Sequence, residues 1–263
     1  MKRQQGKIHT HTLGDGPDVF MVHGWGMHSG VWRNFAKSLA CRFRLTLVDL
    51  PGHGESGMVD DYTIEGICAA LVEAAPERAH WLGWSLGAKV ALCAANRYPE
   101  RVCSLTMMAG SARFARAADW PYAMDPVLLS RFAEDLISNY HETLAKFLGL
   151  QTWGLEHARA VLKDLRASFA ECAAPEETAL RAGLDILRHA DLRPDLERLA
   201  APLLILLGAR DRLAPPQAGE AMCEIYRNGE LIVFENAAHT PFLTHESECV
   251  QALTEFWMRY DEA

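Results

Sequence analysis

The apolar run His80-Trp81-Leu82 stops at Gly83-Trp84-Ser85-Leu86-Gly87, and a helix-forming stretch from Ala88 to Tyr98 follows at once. This reads as strand, sharp turn, helix, with glycine two residues before and two after a serine. Such a turn holds the serine in a strained conformation, and the glycines let neighbouring backbone pass close. It leaves the Ser85 hydroxyl exposed as a candidate nucleophile. It also aims the Leu86 N–H, at the positive end of a helix, at an oxygen gaining negative charge. A bare Gly-x-Ser-x-Gly also fits an ordinary glycine-rich turn, so the rest of the chain has to decide.

With 263 residues, 49% of them hydrophobic and 23% charged, the chain can form one large α/β domain or two small ones. A net charge of −8 argues against a general nucleic-acid binder, which would carry a basic face. The seven cysteines are scattered without a Cys-x-x-Cys pair, so neither a disulfide framework nor a zinc site is expected. Lys2, Arg3 and Lys7 are not followed by an apolar stretch, and no apolar run approaches bilayer length. The expectation is a cytoplasmic protein, not bound to membranes, and a monomer.

In chain order, Ile8 to Leu13 reads as an edge strand, and Val19 to Val22 as a buried one ending in His23-Gly24-Trp25-Gly26. Gly24 and Gly26 alone would serve a tight turn. Paired with the Ser85 turn, the loop supplies a second donor for an oxyanion, the N–H of Trp25. Val31 to Leu39 has helical spacing, and Leu45 to Asp49 reads as another buried strand, so strands alternate with helices and a parallel sheet is expected. Asp49 and His53, in the glycine-rich loop that follows, read as hydrogen-bonded loop anchors. Ile64 to Ala75 is an amphipathic helix, and Val102 to Met108 a strand that ends in Ala109-Gly110-Ser111 without a carboxylate.

From 111 to 192 the periodicity turns helical, through Val127, Leu128, Phe132, Leu136, Tyr140, Leu144, Phe147 and Leu148, then Val161, Leu162, Leu165 and Phe169. This predicts a helical lid, 111–192, inserted before the penultimate strand of a core domain made of 1–110 and 193–263. Such a lid sits over the carboxyl edge of the sheet, where open α/β sheets bind ligands. Phe147, Leu148, Leu150 and Trp153 are candidates for an acyl-chain pocket. Arg159, Lys163 and Arg166 share one helical face, with Lys146 on the preceding segment. They form either a patch for a phosphate or an acidic partner, or a solvated face partly neutralised by Glu156 and Asp164.

Pro202 to Leu207 restores the sheet, and Asp211 follows its end; Leu231 to Phe234 is the last strand, and His239 lies in the loop beyond it. Asp185, Asp191 and Asp195 lack that position, and the rival His245 lies further on, among Glu246 and Glu248. Ser85, Asp211 and His239 thus occur in the order nucleophile, acid, base, each after a different strand, which is the order of the α/β-hydrolases. In this reading His239 takes the Ser85 proton, Asp211 holds the imidazole tautomer, and the Trp25 and Leu86 N–H groups stabilise the tetrahedral oxyanion. No metal or organic cofactor is required.

The strings His23-Gly24-Trp25-Gly26-Met27, Asp49-Leu50-Pro51-Gly52-His53-Gly54, Trp81-Leu82-Gly83-Trp84-Ser85-Leu86-Gly87, Phe147-Leu148-Gly149-Leu150-Gln151-Thr152 and Ala237-Ala238-His239-Thr240-Pro241-Phe242 resemble the pimeloyl-acyl-carrier-protein methyl ester carboxylesterases of biotin synthesis. The similarity runs from about residue 18 to residue 250. The resemblance implies hydrolysis of the methyl ester at the far end of a pimeloyl chain carried by acyl carrier protein. It also implies substrate contacts from Trp25, Ser85, Leu86, Phe147, Leu148, Gly149, Leu150, Gln151 and His239. By the same carry-over Lys146, Arg159 and Lys163 meet the acidic carrier or its phosphopantetheine phosphate, with Arg166 beside them. Glu142 and His141 run against a basic lid, and Ala88 stands where many relatives have glycine. The alternatives are a broad short-chain carboxylesterase, a lipase-like enzyme or a carbon–carbon bond hydrolase on the same fold, and, in another class, a hydrolase-shaped ligand-binding protein without catalysis.

Overall fold

The computed structural model describes residues 3–138, 140–153, 155 and 158–261, and at 136–141 and 144 no side chain is described. The readings placed above on Glu156 and on the side chains of Leu136, Tyr140, His141 and Leu144 lie outside the described residues. Seven strands, β1 (Thr10–Leu13), β2 (Asp18–Val22), β3 (Arg44–Val48), β4 (Ala79–Trp84), β5 (Val102–Met108), β6 (Leu203–Gly208) and β7 (Glu230–Phe234), form one sheet in the order β1-β3-β2-β4-β5-β6-β7. Only β1 is antiparallel to its neighbour, so β2 to β7 all end on the same edge. The central strands read as continuous apolar runs because both faces of a parallel sheet are covered; β4 and β6 are buried along their whole length.

The helices are α1 (Arg33–Leu39), α2 (Ile64–Ala74), α3 (Leu86–Arg97), α4 (Pro126–Ser138), α5 (Tyr140–Gln151), α6 (Ala158–Phe169), α7 (Glu177–His189), α8 (Arg193–Glu197), α9 (Pro216–Ile225), α10 (Pro241–Thr244) and α11 (Glu246–Tyr260). One core cluster joins one sheet face to α2, α3, α8 and α9; α2 buries Ile64, Ile67, Cys68, Leu71 and Val72, and Thr63 caps it by accepting the Gly66 N–H. The other face packs on α1 and α11, where Trp32, Phe35, Trp84 and Phe242 interlock at ring separations of 4.6–6.1 Å. Each such side chain contributes about 1.5–3 kcal/mol by leaving water. Helices α4 to α7 stand between β5 and β6, as their periodicity predicts, and they are joined to the sheet through a neck at 111–113 and 190–193.

Several elements differ from the sequence reading: the edge strand starts at Thr10 instead of Ile8, the first helix at Arg33 instead of Val31, and the short helices α8 and α10 were not assigned. The helix after the serine starts at Leu86, directly on the turn, instead of at Ala88. Helix α9, which the sequence reading did not assign, opens with Pro216 in its first turn. Proline is tolerated there because the first N–H groups of a helix have no intrahelical acceptor.

Candidate active site

Ser85 joins β4 to α3 at φ 57°, ψ −113°, a region that side chains avoid at a cost of about 1–3 kcal/mol. The sheet enforces it: the Ser85 N–H donates to the Met108 carbonyl at 3.0 Å, and the Ser85 carbonyl accepts from the Ala88 N–H at 3.1 Å. A Cβ on Gly87 would fall against the Val22 and His23 carbonyls, and one on Gly83 against Gly87 and Ala88. Both glycines are therefore dictated by close backbone approach. Leu86 is the first residue of α3, so its N–H has no partner within the helix and points out of the N-terminus.

Asp211 lies three residues past β6, and its Oδ1 accepts the N–H groups of Leu213 (2.8 Å) and Ala214 (3.1 Å). These bonds turn Oδ2 to His239 Nδ1, 2.8 Å away. A carboxylate only accepts, so Nδ1 carries the proton and Nε2 is left with its lone pair. The His239 backbone is held from two sides, its N–H donating to the Gln151 carbonyl at 3.2 Å and its carbonyl accepting from Trp84 Nε1 at 2.8 Å. His239 Nε2 and Ser85 Oγ are both buried without a protein partner, as are Gln151 Oε1 and Thr240 Oγ1. Buried polar atoms are nearly always hydrogen-bonded; Trp32 Nε1, His53 Nε2, His80 Nε2, Trp81 Nε1 and Ser168 Oγ are orphaned as well, and what sets the other four apart is that they lie on segments joined at His239, whose N–H bonds to the Gln151 carbonyl.

The loop carrying Trp25 is built by its histidine. His23 Nε2 accepts the Leu50 N–H at 2.9 Å and Nδ1 donates to the Gly24 carbonyl at 2.8 Å. Burial, reinforced by the nearby His53, holds the His23 pKa down at about 3, so the ring stays neutral and keeps both roles. The Trp25 indole donates to the Leu180 carbonyl at 2.8 Å and meets Phe147 edge-on at 4.9 Å. Gly183 of α7 makes room for it, since a Cβ there would stand 2.9 Å from Trp25 Cδ1. Asp49 and His53 are the loop anchors that their positions suggest. The Asp49 carboxylate accepts the Ser29 and Glu55 N–H groups at 2.7 and 2.8 Å, and His53 Nδ1 bonds to the Pro51 carbonyl at 2.9 Å. Asp185, Asp191 and Asp195 pair with Arg188, with Arg113 and Arg193, and with Arg198. His245 bonds to Thr244 Oγ1 at 2.9 Å and packs on Phe234.

Helix α5 brings Phe147 and Leu148 into opposite core clusters, Phe147 beside Trp25 and Leu148 beside the aromatic group that includes Trp84. Gln151 is buried, Leu150 half-buried, and Gly149 has open space on its Cβ side. Trp153 is 54% exposed and lies under the Arg212 guanidinium at 4.9 Å, beside a recess of about 330 Å³ that also reaches Asp211. Lys146 is neutralised by Glu142 at 3.1 Å and Asp135 at 3.8 Å. Arg159, Lys163 and Arg166 lie exposed on α6, opposite its buried Val161 and Leu165. The sequence reading gave no role to Trp84 or Thr240; the signal for Trp84 was an indole N–H in a buried strand, a donor that has to find an acceptor. Among the described residues no three His, Cys, Asp or Glu side chains converge to hold a metal, and no helix is long and apolar enough to cross a membrane.

Residues 17–246 match the family model for the alpha/beta hydrolase fold. The pimeloyl-[acyl-carrier protein] methyl ester esterase of Methylococcus capsulatus is 45% identical over 93% of this chain and 96% of that protein. Its namesake in Nitrosomonas europaea is 40% identical over 92% of this chain and 96% of that protein. Among solved structures, an esterase from Exiguobacterium antarcticum superimposes with a TM-score of 0.85, covering 95% of this chain and 94% of its own at 22% identity, a likeness of fold. Fold, sheet edge and relatives agree: the chain belongs to the α/β-hydrolase family and, within it, to the pimeloyl-[acyl-carrier protein] methyl ester esterases.

Proposed function

We propose that this protein is a serine carboxylesterase that hydrolyses the methyl ester of a pimeloyl chain carried by acyl carrier protein, releasing methanol and the free terminal carboxylate. The observation that carries this reading is the pair of orphaned atoms, Ser85 Oγ and His239 Nε2, with Asp211 bonded to the far side of the imidazole. Ser85 Oγ attacks the ester carbonyl while Nε2 takes its proton, and Asp211 stabilises the imidazolium so formed. The Trp25 and Leu86 N–H groups receive the oxyanion, which gathers charge only in the transition state. His239 then protonates the departing methoxide, and water, activated by the same imidazole, releases the acid from Ser85.

In this reading 111–192 is a lid, and Phe147, Leu148, Gly149, Leu150 and Gln151 line the path of the acyl chain, with the buried Gln151 amide aligning its polar end. The exposed cations Arg159, Lys163 and Arg166 face the acidic carrier. Lys146 contributes less, because two carboxylates already share its charge. The test is steady-state hydrolysis of methyl pimeloyl-acyl carrier protein by wild type and Ser85→Ala, with p-nitrophenyl butyrate in parallel. Efficient Ser85-dependent demethylation, at a kcat/KM above that on the small ester, is the expected result. Equal or lower efficiency on the carrier substrate would leave a broad carboxylesterase, and an unchanged rate in Ser85→Ala would overturn the mechanism.

A further inference from the structure

Lys89 lies one turn beyond Ser85 on α3, and its side chain is 1% exposed. Its Nζ donates to two carbonyls, Ala112 at 2.8 Å and Ala190 at 3.0 Å. Ala112 is where the chain leaves the sheet after β5, and Ala190 is where it returns after α7. One ammonium therefore joins the nucleophile's helix to both roots of the α4–α7 insertion. The roots are also stitched directly: the Ala112 carbonyl accepts the Leu192 N–H at 2.9 Å, and Arg113 forms a bridge to Asp191.

The two carbonyls call for a donor but not for a cation, since a neutral donor would satisfy them without the cost of taking a charge out of water. The charged groups around the neck are Arg113 and Asp191, paired at 2.7 Å, and Arg193, which joins Asp191 at 2.6 Å and Asp119 at 2.8 Å. His189, at the end of α7, is turned away to the Asp185 carbonyl. Asp191 already serves two arginines, so no carboxylate is left to Lys89 alone. Two backbone dipoles do the work of a counter-ion, and they come from the two roots of the insertion.

We propose that Lys89 is a positioning residue that clamps both roots of the helical insertion to the nucleophile's helix, so that the neck opens only by breaking both Nζ hydrogen bonds and exposing this side chain. The clamp is a property of the structure alone. Its effect on ester hydrolysis, through α5, whose Gln151 carbonyl accepts the His239 N–H, rests on the function proposed above. Burial lowers the Lys89 pKa from 10.5 to about 7, with Asp191 partly opposing and Arg113 reinforcing the shift. In the open neck the amine regains its ordinary basicity. Opening is then insensitive to pH below about 7 and is progressively suppressed above it, approaching tenfold per pH unit.

Hydrogen exchange of the neck amides measures this without reference to any substrate. In wild type the opening constant of the Leu192 N–H, corrected for base catalysis, falls by roughly 50-fold from pH 7 to pH 9. It lies well above the opening constant of the β4 and β5 strand amides, as local opening requires. In Lys89→Met, which keeps the length and removes charge and donors, the pH dependence disappears. The KM for carrier-linked methyl ester rises several-fold in that variant, while kcat on p-nitrophenyl acetate stays within twofold. An opening constant and slope in Lys89→Met equal to those of wild type, or neck amides that exchange only together with the strands, would each overturn the clamp. Loss of the exchange slope with no change in either ester would keep the clamp and remove its part in positioning the substrate. Lys89→Gln replaces Lys89→Met if that variant folds poorly, and the same comparison with wild type then decides.

Discussion

At the scale of single residues, the candidate site is a set of polar atoms whose obvious partners have been taken away or used up. Asp211 spends Oδ1 on two backbone N–H groups and keeps Oδ2 for His239, so the carboxylate is aimed before any substrate arrives. Asp211→Asn should leave the fold intact, because the amide oxygen can still accept from Leu213 and Ala214. Its NH₂ then faces Nδ1 and forces the proton onto Nε2, which blocks proton abstraction from Ser85. The expected loss is about 10³- to 10⁴-fold in kcat on p-nitrophenyl butyrate, with an unaltered melting temperature as the control. A loss below tenfold would remove Asp211 from the reaction. The places of Ser85, Asp211 and His239 just past three different strand ends were legible in the sequence, because apolar runs mark the strands. Trp84 and Lys89 were not, since an indole or a lysine within a periodic segment carries no mark of what it will touch.

At the scale of elements, α6 separates two uses of its residues. Val161 and Leu165 bury one face, and Arg159, Lys163 and Arg166 hold three positive charges on the other. Charge reversal, Arg159→Glu with Lys163→Glu, should raise the KM for carrier-linked substrate by about tenfold or more, through lost steering and lost close pairs. Turnover of p-nitrophenyl butyrate should be untouched, because those side chains stand on the outer face of α6. A KM that rises with salt in wild type and not in the variant gives a second readout. Equal effects on both esters would assign the patch to stability. The helical character of this region was readable from its 3.6-residue period. That Lys146 is tied up by Glu142 and Asp135 was not, because Asp135 comes from the neighbouring helix α4.

At the scale of the whole molecule, three histidines buried in the core set the response to acid. Burial lowers the pKa values of His23, His53 and His80 from 6.5 to about 3, 4 and 4 respectively. The unfolded chain binds protons at these groups from about pH 6.5 downwards, while the folded chain does not. Their contribution to stability is therefore intact above 6.5 and is lost as pH falls towards 4, at up to about 1.4 kcal/mol per pH unit for each. Urea unfolding between pH 7 and 4 should show this slope, and His80→Gln, which retains a polar partner for Ser104 Oγ, should reduce it by about a third. A slope unchanged by that substitution would move the acid sensitivity elsewhere. The sequence by itself determined the order of the main strands and helices, the parallel sheet, the strained Ser85 turn and the placement of Asp211 and His239 after strand ends, because these follow from local periodicity and from backbone geometry that only glycine permits. Only the tertiary structure decided that His239 rests on the Gln151 carbonyl, that Trp25 is clamped between α5 and α7, and that Lys89 is buried at the neck. Those facts depend on which faces of distant segments meet when the core closes, and packing across elements leaves no periodic trace in the chain.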